Sequence, residues 1–180
     1  MIVVRLRAAF ALVIGLTLPV DVQAQASSAQ GDASASVIEP LTATALEDLS
    51  FGAITVGTDG GTLVVAANGA GAQVGGSVRQ MCSNAAQCQT HPAHFAVSGE
   101  AGRSYRVNLP DSLLAQGDRT GTSLTVDSLS FASRNRSTAD GGQLDVDGKD
   151  TFSVGGTLQV PAGTPADIYR AQFPVIVSYD

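Results

Sequence analysis

The stretch Thr151–Tyr179, TFSVGGTLQVPAGTPADIYRAQFPVIVSY, decides the fold class. Phe173, Val175, Val177 and Tyr179 fall two apart, so on an extended chain all four point to one face. Phe152 and Val154 alternate in the same way, as do Leu158 and Val160 beyond the Gly155-Gly156 pair. The Gly/Pro-rich turn Pro161–Pro165 joins the two runs as a terminal hairpin or as a unit that crosses between sheets. The stretch reads as a strand pair that closes a sheet, and nothing in it suggests catalysis.

Composition points the same way. Glutamate occurs only at Glu39, Glu47 and Glu100, Lys149 is the single lysine, and 20 residues are glycine. Long amphipathic helices draw on Glu, Lys, Leu and Ala, so the expected class is all-β. Leu, Val, Ile and 6 phenylalanines give an adequate core for one domain of this length. With a net charge of −6, no tryptophan and no basic cluster, nucleic acid is not an expected partner.

The N-terminus reads as a secretory signal. Arg5 and Arg7 give the positive start, Ala8–Val20 the short apolar run, and Val22-Gln23-Ala24 the small-residue cleavage site. Residues 1–24 are therefore expected to be removed, which takes the net charge to −7 and leaves no membrane span. Residues 25–36, rich in Ser, Ala, Gln and Gly, read as a flexible leader, and 37–180 as the folded domain.

Along that domain, Leu41, Ala43 and Ala45 alternate with Thr42 and Thr44 behind Pro40, which restricts this run to an edge strand or bulge. Further alternating runs follow at Leu49–Val56, Thr62–Ala66, Ser77–Arg79, Phe95–Val97, Tyr105–Leu109 and Leu124–Phe131. A slip of phase at Asp127-Ser128 predicts a bulge. Gly57–Gly61 and Asn68–Gly76 read as turn and loop, Asp111–Gln116 as one helical turn capped by Asp111, and Leu144–Val146 as a short edge. About eight or nine short strands without a crossover helix predict an antiparallel, immunoglobulin-like β-sandwich, with a closed barrel as second choice.

Candidate sites are few. Cys82 and Cys88 enclose five residues in MCSNAAQC, and in an exported protein this spacing predicts a disulfide of about 2–3 kcal/mol. Adding His91 and His94 gives four soft ligands within 13 positions, but the cysteine spacing exceeds the usual gap of structural zinc sites, so no metal is expected. Both histidines then read as loop residues. Asp145-x-Asp147-Gly148 is similar to half of a calcium loop, yet the glycine comes too early and no closing ligand follows, so it reads as a turn. No histidine sits in a nucleophile motif, the glycine-rich stretches lack the P-loop lysine, and carboxylate pairs are scarce. The expectation is a non-enzymatic protein without cofactor.

The run FSVGGTLQVPAGTPADIYRAQFPVIVSY, with IEPLTATALEDLSFGAITV and FAVSGEAGRSYRVNLP, resembles the exported bacterial domain-of-unknown-function family 4402. The resemblance covers residues 36–180, with MCSNAAQC as a local insertion. Where the family usually has Pro-Ala-Gly before its tyrosine, this chain has Pro165-Ala166-Asp167. The family is similar in layout to fimbrial, pilin-like subunits of the chaperone–usher type, which end in a strand with a penultimate tyrosine, here Tyr179. The resemblance implies an exported structural or surface subunit whose partners are like subunits or a periplasmic chaperone. In such assemblies a neighbour's extension completes the sandwich as a strand. Val37, Leu41, Ala43 and Ala45 fall at alternating donor positions, with Glu39 on the same face; equally, Val37–Ala45 reads as the first strand of its own sandwich. Phe173, Val175, Val177 and Tyr179 are the matching strand-pairing candidates. The other functional expectation is a monomeric periplasmic or secreted binding module that uses loops Cys82–His94 or Ser133–Asp150.

Overall fold

A computed structural model of the chain describes residues 27–82, 89–136 and 140–180. The expected signal peptide lies outside the described residues. Contacts divide the chain into Met1–Ser36 and Val37–Asp180. In the first unit, residues 27–36 carry no regular secondary structure and are exposed. The second unit holds every described strand.

That unit is organised around β11, Lys149–Val160. On one edge β11 runs antiparallel to β9, Ser123–Ser133, from Phe152↔Ser133 to Gln159↔Thr125. Its other edge serves two partners in succession. Residues Lys149–Val154 pair with β6, Ala93–Ser98, and residues Gly156–Val160 pair with β3, Ile54–Val65. The change of partner falls at Gly155. A Cβ there would lie on the Val65 carbonyl oxygen and 2.5 Å from the Ala67 nitrogen, so only glycine lets β3 turn away at this point.

The sheet continues with β8, Ser112–Gly117, and β12, Tyr169–Arg170, beyond β9. Beyond β3 lies β4, Ala72–Gln80, and beyond β6 lies β1, Thr42–Glu47. A second sheet has the order β10 (Gly141–Gln143), β7 (Ser104–Asn108), β13 (Ile176–Tyr179). The two-residue strands β2, Ser50–Phe51, and β5, Thr90–His91, pair with each other. All of these pairings are antiparallel, and the fold is all-β.

Alternation along β11 builds the core: Asp150, Phe152, Val154, Leu158 and Val160 are buried, while Thr151, Ser153, Thr157 and Gln159 are less so. Two clusters result. Leu63, Val78, Ala115, Leu124, Val126, Leu158 and Val160 form the first, all from strands of the large sheet, which therefore curls over its own face. In the second, Tyr105, Val107 and Leu144 meet Phe152, Val154, Val97 and Ala93, joining the small sheet to the N-terminal half of β11. Phe152 is the hub, stacked on Phe95 at 5.1 Å and edge-on to Phe131 at 6.3 Å. Complete burial of such a ring contributes about 2–3 kcal/mol.

The bulge expected at Asp127-Ser128 is present. Ser128 and Leu129 together face Gly156, Ser128 has φ 51°, and Leu129 packs against both clusters. The C-terminal pair crosses between sheets: β13 joins β7, not β11.

Four local readings are corrected. Thirteen strands stand among the described residues where about eight or nine were expected, because the two-residue strands β5 and β12 give no alternation to read and β8 was taken for a helical turn. Asp111–Gln116 is no helical turn but most of β8, held by Leu113↔Val126 and Ala115↔Leu124; tertiary pairing overrides a local cap signal. Gly57–Gly61 does not end a strand, since β3 continues through it with a register shift against β4 between Val56 and Gly61. The loop expected at Asn68–Gly76 ends earlier, because β4 begins at Ala72.

Candidate functional site

The first candidate is the edge strand β1. Pro40 cannot donate to a ladder, and the alternating Thr/Ala run after it pairs only with β6, from Thr42↔Ser98 to Glu47↔His94. It stands at the end of the sheet order with its outer edge open, and its six residues are all exposed. Ala43 and Ala45, expected as donor positions, face Val97 and Phe95 of this chain's own β6. Leu41 packs against the second cluster, whereas Val37 is 97% exposed.

Phe173, Val175, Val177 and Tyr179 all pack against the second cluster, with Val177 and Tyr179 in β13. Tyr179 does more than pack. Its hydroxyl donates to the Glu39 carbonyl at 2.8 Å and accepts from the Glu100 N–H at 2.6 Å, and the Arg103 guanidinium lies over its ring at 5.7 Å. The last strand thus holds the approach to β1 and the turn after β6 together.

The second candidate lies on the outer face of β1, β6 and β11, where alternation aims Thr42, Thr44, His94, Ala96, Ser98, Lys149, Thr151 and Ser153 away from the core. Thr44, Ala96, Ser98, Lys149, Thr151 and Asp145, with Arg134 and Asn135 from the loop after β9, line a depression of about 530 Å³. The loop is tied down: Arg134 N–H donates to the Thr151 carbonyl at 2.8 Å, and Asn135 Nδ2 to the Lys149 carbonyl at 2.8 Å.

Asp150, which also lines the depression, is buried, 4% exposed. Its carboxylate accepts from Tyr105 Oη at 2.7 Å, Ser133 Oγ at 2.5 Å, Asn135 N–H at 3.2 Å and Thr151 N–H at 2.7 Å. Burial, and then the hydrogen bond to Asp150, push the Tyr105 phenol well above its ordinary range. Four donors satisfying one anion make this a structural brace.

Farther along the same face, Ser153 Oγ lies 2.9 Å from His94 Nδ1, and Glu47 stands 3.8 Å from His94 Nε2 and 3.6 Å from His91 Nδ1. The histidines therefore sit on β5 and β6 rather than in a loop, a correction to their expected placement. Serine, histidine and glutamate meet here in nucleophile–base–acid order. The Glu47 distances exceed a hydrogen bond, however, and the side chains are 34–51% exposed, so the group lacks the preorganised, water-excluded setting of a hydrolytic triad. Among the described residues no three His, Cys, Asp or Glu side chains are placed to hold a metal ion.

The chain matches the family model described as Domain of unknown function (DUF4402) over residues 41–179. It belongs to that family. No curated protein and no solved structure matches it. The DUF4402 match runs from the residue before β1 to the last residue of β13, so both partners of the Tyr179 side chain's tie to Glu100 lie within it.

Two sequence features find their place in this DUF4402 domain. Asp145 Oδ1 accepts the N–H groups of Asp147 and Lys149, each at 2.9 Å, and Gly148 has φ 70°; the segment is the expected turn. Asp167 does not adopt a left-handed backbone. Its side chain is fully covered and reaches across to the β8–β9 turn, where Oδ2 accepts from Arg119 N–H at 2.9 Å, Thr120 N–H at 2.7 Å and Thr120 Oγ1 at 2.8 Å. Burial alone would raise this carboxyl; the hydrogen bonds from Arg119, Thr120 and Ile168 outweigh it and hold the group below the usual carboxylate range. Cys82 is not a free thiol, and Cys88 lies outside the described residues. No helix among the described residues is long and apolar enough to cross a membrane.

Proposed function

We propose that this DUF4402 protein is an exported, non-enzymatic surface subunit of fimbria-like kind that associates through strand pairing and displays its polar loops. The observation that carries the reading is the open, wholly exposed edge of β1 next to an exposed alternating approach in which Val37 is 97% accessible. An unpaired edge presents a row of free N–H and C=O groups, and an extended peptide adds to it as a strand. Thr42–Glu47 is already engaged with β6, and Glu39 and Leu41 are held by Tyr179 and the second cluster, which confines the donor to the ~14 residues upstream, 25–38. Extended, such a segment reaches up to about 45–50 Å, enough to lie along a neighbour's β1. Like subunits are the partners, with a periplasmic chaperone covering the edge before assembly. A Cys82–Cys88 disulfide suits this compartment.

The test deletes Gln25–Ile38, which spares Glu39 and β1. The full mature protein should form multimers that resist SDS and dissociate on heating, and the deletion variant should be monomeric with unchanged thermal unfolding. Two stable monomers, or two identical multimers, would refute the assembly reading. A thiol titration of exported protein should count none; two reactive thiols would remove the disulfide.

The outer-face depression favours a second reading, a secreted binding module. It predicts ligand-dependent stabilisation of a protein that stays monomeric.

A further inference from the structure

The domain is acidic, yet its outer face brings two unpartnered basic side chains together in one place. Arg103, Arg106, Arg119 and Arg170 are ion-paired, and Arg79 and Arg136 are hydrogen-bonded to oxygens of the chain. Among the described residues that leaves Arg134 and Lys149 as the basic side chains with no protein partner, and both line the same depression. Two carboxylates line it as well, and both are occupied: Asp145 has one oxygen taken by two backbone N–H groups, and Asp150 accepts from Tyr105, Ser133, Asn135 and Thr151. The small side chain of Ala96 leaves the floor low, and the Thr44 and Thr151 hydroxyls beside it have no protein partner either.

We infer that this depression on the β1–β6–β11 face is a binding site for a carboxylate-bearing, polyhydroxylated ligand, an acidic saccharide. A planar guanidinium and a point ammonium are suited to a carboxylate, and the row of hydroxyls to ligand hydroxyls. At about 530 Å³ the depression has room for sugar residues and not only for a single ion. No aromatic side chain lines it, so affinity rests on charge rather than on stacking and weakens with salt. The site is independent of the assembly reading, because its residues face outward from the sheet and leave the edge of β1 free.

Calorimetric titration of the full mature protein with trigalacturonate tests the inference, with neutral galactotriose and inorganic phosphate as parallel titrants. Trigalacturonate should bind in low salt, at least tenfold more tightly than either control, and weaken as salt rises. Arg134→Gln and Lys149→Gln, both at exposed side chains, should each lower affinity about tenfold with unchanged thermal unfolding. No binding of trigalacturonate at millimolar concentration would overturn the site. Equal binding of a control, or unaltered binding by both variants, would overturn it as well.

Discussion

Replacing Asp150 by alanine removes one carboxylate and strands four donors at once. Tyr105 is 1% exposed, so its hydroxyl finds no water in compensation, whereas Ser133 and Asn135 lie nearer the surface and recover some. A hydrogen bond to a charged group contributes about 1.5–3 kcal/mol, and an orphaned buried donor costs a similar amount. Counting the Tyr105 bond in full and the others in part gives a loss of about 3–5 kcal/mol. Against a typical domain stability of about 5–15 kcal/mol this is large. Tyr105→Phe deletes one of the same donors and should cost only about 1–2 kcal/mol. In the double variant that donor is no longer stranded, so the cycle should show a coupling of about 1–2 kcal/mol. Urea denaturation of the mature protein, followed by circular dichroism, measures all three. A loss below about 1 kcal/mol for Asp150→Ala, or strict additivity in the cycle, would refute the brace.

The remaining predictions concern single contacts. Gly155→Ala places a methyl on backbone atoms of Val65 and Ala67 and should cost about 2–4 kcal/mol, while Gly31→Ala, which meets nothing within 4 Å, should be neutral; equal melting temperatures would sink the partner-change argument. Tyr179→Phe should cost about 1–2 kcal/mol and speed amide exchange at Glu100 at least tenfold, leaving Val97 protected. Unchanged exchange at Glu100 would count against the tie. The Asp167 carboxyl titrates below its ordinary 3.8 in the folded state, so the stability it contributes is present above that value and is lost as pH falls from there through the lower folded-state value. Asp167→Asn should lower stability at neutral pH and flatten the acid limb of the stability curve; superimposable acid limbs would be the contrary result.

Period-two alternation made much of this architecture legible. Phe152, Val154, Leu158 and Val160 are buried on β11 as their spacing requires, and the phase slip at Asp127-Ser128 is a real bulge. Glycine was the harder letter to read. Gly61 looks like turn punctuation in sequence, but in space it lies against the Gly75 carbonyl, where two strands approach too closely for a side chain. The sites were less legible because their parts come from far apart. Asp150 is one of four aspartates within 11 positions, and what separates it from its neighbours is donors distant in sequence, Ser133, Asn135 and Tyr105, the last 45 residues away. Thr44, Arg134 and Lys149 share a depression through sheet order alone, which the chain's local pattern does not encode.

The tie between Tyr179 and Glu39 also has a mechanical meaning. β1 is an edge strand held along one side only, and a tug applied across such a ladder would unzip it one bond at a time. A pull arriving from upstream of Leu41 meets the Tyr179 hydroxyl before it reaches that ladder. Load is thus shared with β13, and through β13 with β7 on the other side of the domain. The penultimate residue of the chain serves as the strain relief for its first strand.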